Sequence, residues 1–302
     1  MARCDTFEGR WRFLKDDSMK IPFFKMHGAG NDFIVVDDRA GTFPAADAEW
    51  IRRITDRRLG VGSDGVLLMQ PSDTADFRMR FFNPDGGEAE MCGNGARCAA
   101  RLAAEIGAAP PRLTIETGTG TIRAEVRDEN VKLHMTDPRD WRLGRSVEAA
   151  GRVWPYSFVN SGVPHVVIRV DAIDELDVGR AGAAIRRHPD FQPAGTNVNF
   201  IEIVGPDRLR IRTFERGVES ETWACGTGIV AAVLVAARSG WARPPVRVDT
   251  ARGFTLFVDF SVAGDEVRDV TLEGPAAYVF RGCLWYPDVG VGLKAPEGSA
   301  GI

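Results

Sequence analysis

The sequence is poor in the features that define several large functional classes. Its cysteines number five, an odd count, at positions 4, 92, 98, 225 and 283. None has the C-x2-C spacing of a zinc site, and a disulfide framework in a chain of 302 residues would show more, evenly matched cysteines. Lysines also number five, at 15, 20, 25, 132 and 294, and none stands in a pyridoxal-phosphate context. The longest apolar run, Ile229 to Ala237, is far short of the roughly 20 residues that span a bilayer. The first twenty residues carry no apolar stretch of the secretory kind, so the expected compartment is the cytoplasm. The net charge of −4 lacks the basic excess that a nucleic-acid backbone demands. What remains is an ordinary globular composition, 44% hydrophobic and 26% charged, with chain enough for two domains.

The chain resembles itself. At an ungapped shift of 133 residues, Asp38 falls on Asp171, Gly62 on Gly195, Phe81 on Phe214 and Cys92 on Cys225. Gly93, Gly95, Gly107, Pro111, Thr117 and Gly120 then fall on Gly226, Gly228, Gly240, Pro244, Thr250 and Gly253. A period this long is a whole domain copied once, not a solenoid repeat. It predicts two domains of like fold related by a pseudo-twofold, with matching loops facing one another. Each copy has one helix after its matched cysteine, GNGARCAARLAAEIG and GTGIVAAVLVAARSG, ending at a glycine with prolines beyond. The second helix is apolar nearly all round and should be buried. Short β-rich segments flank both helices: 32–38, 65–70, 77–82, 112–117 and 132–136, then 165–171, 197–203, 208–214, 246–250 and 255–260.

The expected class is α+β, each domain a mixed, largely antiparallel sheet wrapped around a central helix. Residues 19–134 with 278–290 are assigned to the first domain and 135–277 to the second. Residues 1–18 read as a patternless extension and 291–302 as a tail.

Each matched cysteine directly precedes a Gly-x-Gly that opens a helix. Helical N–H groups and the positive end of the macrodipole gather there, lowering a thiol's pKa and cradling an anion such as a carboxylate. Cys4, Cys98 and Cys283 have no such setting and read as small buried hydrophobes. A thiol on either side of one site suits a racemase or epimerase, which removes a proton from one face of a carbon and returns one to the other. Carbanion character beside the carboxylate would be stabilised by the helix N–H groups. With no metal cluster and no lysine context in the sequence, the expected mechanism needs no cofactor. Asn83 and Glu90 precede the first thiol; Glu215 and Arg216 precede the second. Arg216 could clamp a carboxylate and Glu215 receive an ammonium, or both could be solvated or interface charges. The Gly-Ala-Gly turn of KMHGAGNDF would present Asn31 at a loop tip.

KMHGAGNDF, FNPDG, MCGNGARC, TNVNF, FERG and ACGTG, in this order from about Met19 to Pro287, resemble the diaminopimelate epimerase family. The resemblance implies two pseudosymmetric domains, a pyridoxal-phosphate-independent isomerase, a homodimer, and a small-molecule amino-acid substrate. It implies Cys92 and Cys225 as the acid/base pair, and the backbone at Gly93–Asn94 and Gly226–Thr227 as the carboxylate cradle. Asn31, Asn83, Asn197 and Arg216 match positions that read the substrate. His165 and Glu215 match a polar pair beside the second thiol that would set its protonation.

Three positions depart from the family pattern. Val163 replaces an asparagine, with Asn160 near enough to substitute. Glu219-Ser220 lengthens the interval between Arg216 and Cys225 by one residue, and Gly65 replaces a polar contact residue. These leave room for a related two-thiol racemase of another amino acid, such as proline or hydroxyproline. A non-catalytic amino-acid receptor is a third reading; it predicts binding without solvent-isotope exchange.

Overall fold

The computed structural model describes residues 19–264, 266–287 and, as backbone, 291–293. Cys4, the 1–18 extension and most of the 291–302 tail lie outside the described residues. The chain divides into two compact units, 1–129 with 276–302, and 130–275.

The first unit runs β1 (Met19–Gly28), β2 (Asn31–Asp37), α1 (Ala48–Thr55), β3 (Val66–Gln70), β4 (Phe77–Phe82), β5 (Glu88–Ala89), α2 (Gly93–Glu105), β6 (Arg112–Thr117) and β7 (Gly120–Arg127). The second runs β8 (Asn130–His134), β9 (Arg139–Ala149), β10 (Arg152–Asn160), β11 (Pro164–Arg169), α3 (Val178–Arg186), β12 (Asn197–Gly205), β13 (Arg208–Glu215), β14 (Ser220–Thr222), α4 (Gly226–Arg238), β15 (Val246–Thr250), β16 (Thr255–Ala263) and β17 (Glu266–Pro275). The chain then returns to the first unit as β18 (Ala277–Tyr286) and β19 (Val291–Leu293).

The two units repeat one topology. In the first, β1 lies antiparallel between β18 and β2, β2 is parallel to β3, β3 antiparallel to β4, β4 parallel to β6, and β6 antiparallel to β7. In the second, β10 lies antiparallel between β9 and β11, β11 is parallel to β12, β12 antiparallel to β13, β13 parallel to β15, and β15 antiparallel to β16. A parallel pair needs a crossover, and each unit has two: α1 and α2 in one, α3 and α4 in the other. Each unit is thus an α+β fold of a mixed, mostly antiparallel sheet wrapped on one helix, with a shorter helix on its other face.

Burial on both faces accounts for the apolar runs that show no strand alternation. Ile34, Val36, Val66, Leu68 and Phe82 pack with Trp50, Ile51 and Ile54 of α1. In the second unit Trp154, Ile168, Val198, Phe200 and Phe214 pack with Val178, Ala181 and Ile185 of α3. The shorter helices have matched starts: Asp47 accepts from the Trp50 N–H, and Asp177 from the Arg180 N–H. The central helices pack against strands all along their sheets. Gly228 to Ala236 of α4 are buried without a break, as its composition predicts. Both central helices stop at glycines in the left-handed region, Gly107 (φ 70°) and Gly240 (φ 72°).

Two assignments read from the sequence shift by a few residues. Residues 130–134, grouped by sequence with the first half, pair with β17, Leu133 opposite Leu272. Val291–Leu293, read as tail, form β19 against β18. Pairing with a strand far along the chain decides the first, and pairing with the strand just before it decides the second. Cys283 on β18 is buried, but it is disulfide-bonded rather than the plain thiol its context suggested.

Gly228 holds α4 against β12. A Cβ there would stand 2.4 Å from Asn199 Oδ1, and that amide is fixed by its own hydrogen bonds. Gly228→Ala is therefore expected to destabilise the protein by about 2–4 kcal/mol, from overpacking with loss of a buried hydrogen bond. Urea unfolding checks this; a loss below about 0.5 kcal/mol would show that the helix can withdraw.

Candidate active site

Both matched cysteines are the N-cap residues of the central helices, in extended backbone: Cys92 at φ −141°, ψ 115°, and Cys225 at φ −104°, ψ 108°. Neither side chain caps its helix. The first-turn N–H groups of α2 and α4 have no i−4 carbonyl within their helices, so each helix presents them with the positive end of its dipole. Gly93 opens α2 with nothing within 4 Å of where a Cβ would stand, leaving its backbone approachable.

In the first unit the thiol meets an asparagine. The turn at Ala29 (φ 54°) and Gly30 (φ 87°) between β1 and β2 delivers Asn31 to the start of β2. Cys92 Sγ donates to Asn31 Oδ1 at 3.7 Å, and Asn94 Nδ2 donates to the same oxygen at 3.1 Å. Asn31 Nδ2 donates to Asp64 Oδ2 at 2.8 Å, and Arg97 donates to Asn94 Oδ1 at 2.8 Å. The polarity of this row is fixed at both ends, because a guanidinium only donates and an ionised carboxylate only accepts. Arg97 is fully buried, which pulls its pKa down; the neighbouring Cys98 and Cys92 sulfurs favour its charge. Cys98 is pushed up to about 12 by burial, so it is a thiol at any ordinary pH. Beneath the Asn31 turn, Asp32 holds Lys25 and Arg57, and Arg57 also pairs with Asp64 at 2.6 Å. Burial works against the Asp32 charge, but hydrogen bonds from Arg57 and Lys25 outweigh it and hold the carboxyl below its usual range. Asn83 sits half-buried in the β4–β5 turn, its N–H donating to the Gly87 carbonyl at 2.8 Å.

In the second unit the thiol meets a hydroxyl. Cys225, 8% exposed, has its Sγ 3.6 Å from Thr227 Oγ1. Thr227 Oγ1 is 2.9 Å from His165 Nε2, and His165 Nδ1 is 3.1 Å from Asn199 Nδ2. Asn199 Nδ2 also donates to the Val166 carbonyl, and Asn199 Oδ1 accepts from the Thr213 hydroxyl at 3.0 Å. His165 is fully buried, and burial, helped by the Arg216 charge, lowers its pKa to about 3, so the ring is neutral. Ser161 Oγ donates to the Thr227 carbonyl at 2.8 Å, tying the β10–β11 turn to the helix start.

Arg216 and Glu215 lie at the end of β13, both half-buried. Arg216 donates to the Ala194 carbonyl at 2.8 Å, and Glu215 Oε2 accepts from Thr222 at 2.7 Å. Asn197 donates to the Pro164 carbonyl at 3.0 Å and accepts from the Arg216 N–H at 2.8 Å, so its amide pins the β13–β14 turn.

The departures from the family pattern have local explanations. A Cβ at Gly65 would stand 2.5 Å from the Phe81 ring and from the Phe82 carbonyl, so the position admits no side chain as packed. The residue added before Cys225 is taken up at Glu219 (φ 58°), whose carboxylate accepts from Arg186 at 3.1 Å and from the Gly217 N–H at 3.2 Å. Asn160 ends β10 and accepts from the Gly162 N–H at 3.1 Å, closing the turn that carries Val163.

Sequence reasoning missed Asn199, Asp64, Arg97, Ser161 and the side chain of Thr227. One signal was available: in TNVNF, Asn197 and Asn199 are two apart on a strand and share a face, so the second amide must serve the same site or be satisfied beside it.

The fold has solved counterparts. A phenazine biosynthesis protein of the PhzF family from Bacillus anthracis superposes with a TM-score of 0.69 at 18% identity, covering 88% of this chain and 99% of that one. A hydroxyproline epimerase from Agrobacterium vitis superposes at 0.63 with 19% identity, covering 93% and 95%. In sequence, the chain is 48% identical over 263 residues to the diaminopimelate epimerase of Chlorobaculum tepidum, covering 86% of this chain and 99% of the relative. It is 40% identical over 276 residues to that of Aquifex aeolicus, covering 87% and 98%. Two duplicated α+β units, each with a thiol at the start of its central helix, and relatives of this kind make the chain an isomerase of the epimerase class. The diaminopimelate epimerase family profile matches residues 23–141 and 157–278, one stretch for each copied half, and the chain belongs to that family.

Proposed function

We propose that this protein interconverts LL- and meso-2,6-diaminopimelate, in lysine and peptidoglycan precursor synthesis, by a two-base reaction at the α-carbon. One of Cys92 and Cys225 acts as thiolate and removes the α-proton. The other, as thiol, delivers a proton to the opposite face, and their roles exchange for the reverse reaction. The carrying observation is that both copies of the duplicated helix are N-capped by a cysteine whose side chain does not cap and is engaged by a polar partner instead. First-turn N–H groups at Gly93–Asn94 and Gly226–Thr227 would take the carboxylate as negative charge grows beside it. Asn31, Asn83, Asn197, Glu215 and Arg216 supply the polar contacts for the remaining amino-acid groups.

The reaction as proposed requires no pyridoxal phosphate. Supporting this, Lys25 is buried against Asp32 and the Gly62 carbonyl, and Lys132 pairs with Glu273 at 3.4 Å. A cytoplasmic homodimer belongs to the same proposal; light scattering of the purified protein reads its mass. Among the described residues no helix is long and apolar enough to cross a membrane.

Incubation with LL-diaminopimelate in deuterated water is expected to yield the meso isomer with deuterium at the inverted carbon. No exchange with this substrate, together with exchange on proline or hydroxyproline, would transfer the reading to a related two-thiol racemase. Val163 and the sealed position 65 make that the alternative to run alongside.

A further inference from the structure

The 133-residue shift sets Asp64 on Asn197, one of the positions expected to read the substrate, and Asn31 on Pro164. Both pairs keep their contact. Asn197 Nδ2 donates to the Pro164 carbonyl at 3.0 Å, and Asn31 Nδ2 donates to Asp64 Oδ2 at 2.8 Å. In the first unit the contact runs between side chains, and the partner of Asn31 is a carboxylate, which only accepts. That carboxylate is itself held: Oδ2 also takes the Asp32 N–H at 3.2 Å, and Oδ1 takes Arg57 at 2.6 Å. With its nitrogen committed to Asp64, the Asn31 amide turns its oxygen to Cys92 Sγ at 3.7 Å and to Asn94 Nδ2 at 3.1 Å.

We propose that Asp64 is a positioning residue for the first thiol: by holding the Asn31 amide nitrogen it keeps the amide oxygen on the Cys92 sulfur. An oxygen that accepts from S–H favours the thiol over the thiolate, so releasing it makes the Cys92 proton easier to lose, whatever else the sulfur touches. It also restrains the sulfur in direction, so an enzyme without Asp64 keeps the thiol but not its placement. The inference rests on the two-thiol reading and deepens it, since Asp64 then acts on the reaction without touching substrate or sulfur.

Other charged and titratable groups surround this end of the unit: Arg97 and Cys98 on α2, Glu90 before it, Lys25 and His27 on β1, Asp32 on β2, and Arg57 bridging Asp32 and Asp64. Removing Asp64 removes a negative charge as well as an acceptor, and the lost charge alone would ease ionisation of Cys92. The two effects separate by substitution. A charge acts through space with or without Asn31, whereas an effect relayed by the Asn31 amide disappears when that amide is deleted.

The pH dependence of Cys92 alkylation by iodoacetamide, followed on the Cys92 peptide by mass spectrometry, tests this without substrate. Its midpoint reports the ionisation of the thiol apart from changes in access. Asp64→Ala is expected to lower the midpoint by about 0.5–1 unit, roughly three- to tenfold more thiolate at a fixed pH below it. Asp64→Asn keeps an oxygen for Asn31 Nδ2 and should recover most of the wild-type midpoint. In an Asn31→Ala background, Asp64→Ala should move the midpoint by less than about 0.2 unit, and Arg57→Gln should not reproduce the drop. The Asp64 side chain is 43% exposed, so these proteins are expected to fold. Epimerisation should follow the same pattern, with kcat about tenfold lower in Asp64→Ala and KM nearly unchanged. Equal shifts with and without Asn31, an Asp64→Asn protein that matches Asp64→Ala, or no shift at all overturns the inference. Midpoints that move as expected in a protein whose wild type does not turn over diaminopimelate would sink the proposed reaction and leave this assignment standing.

Discussion

Cys225→Ser and Cys92→Ser proteins are each expected to lose about 10³–10⁴-fold in epimerisation rate, the range that a positioned general acid or base contributes. Serine preserves size and a donor, but its hydroxyl does not ionise near neutral pH, so the variant at either position lacks a base in one direction and a matched acid in the other. The two losses should not add. Once one partner is gone the complete inversion is already blocked, so the double variant is expected within about tenfold of the worse single one, as for other groups that act as a unit. Deuterium incorporation and product configuration together give the measurement. Circular dichroism and urea unfolding should stay near wild type, because Cys92 is only partly buried and serine keeps the size of the side chain at both positions. Full inversion in either single variant would end the two-thiol mechanism.

The second large effect concerns acid. His165 is fully buried and its pKa falls to about 3, against about 6.5 in the unfolded chain. Between those values the unfolded state binds a proton that the folded state refuses, so stability falls as pH falls. It is intact above about pH 6.5, declines through the window, and levels off near pH 3. The whole interval corresponds to about 5 kcal/mol, comparable to the stability of many domains. The second unit should therefore lose its fold in mild acid as the imidazole is forced to ionise against the Asn199 donor. Urea unfolding at about pH 7 and about pH 4 reads the slope. His165→Gln should be less stable near neutral pH, since Asn199 and Thr227 lose their partner, yet show a shallower acid slope. An unchanged slope in that variant would mean that carboxylates such as Asp32, with their depressed pKa values, carry the acid sensitivity instead.

Much of the architecture was legible because the sequence repeats itself. The 133-residue shift, the Cys-Gly-x-Gly starts and the glycine stops are local signals, and local hydrogen bonding and backbone freedom decide them: α2 and α4 begin directly after Cys92 and Cys225. The apolar segments at 77–82 and 112–117 became β4 and β6 within those same bounds. Strands β1, β9, β10, β17 and β18 were not read from pattern. Strand β1 takes its conformation by pairing with β18, far away in the chain, and β17 likewise with β8, whereas β9 and β10 form a hairpin with each other.

The sequence alone determined that two matched thiols stand at two helix starts, since a duplication and the capping geometry of a helix are written in neighbouring residues. Tertiary structure decided what each sulfur meets. An acceptor from the β1–β2 turn reaches Cys92, and a hydroxyl backed by a histidine and an asparagine from β11 and β12 reaches Cys225. The direction in which a hydrogen-bonded row points depends on what occupies both of its ends, and those ends are set by contacts between residues up to 63 positions apart. Two copies of one motif can therefore open the same kind of helix and still meet different partners at the sulfur.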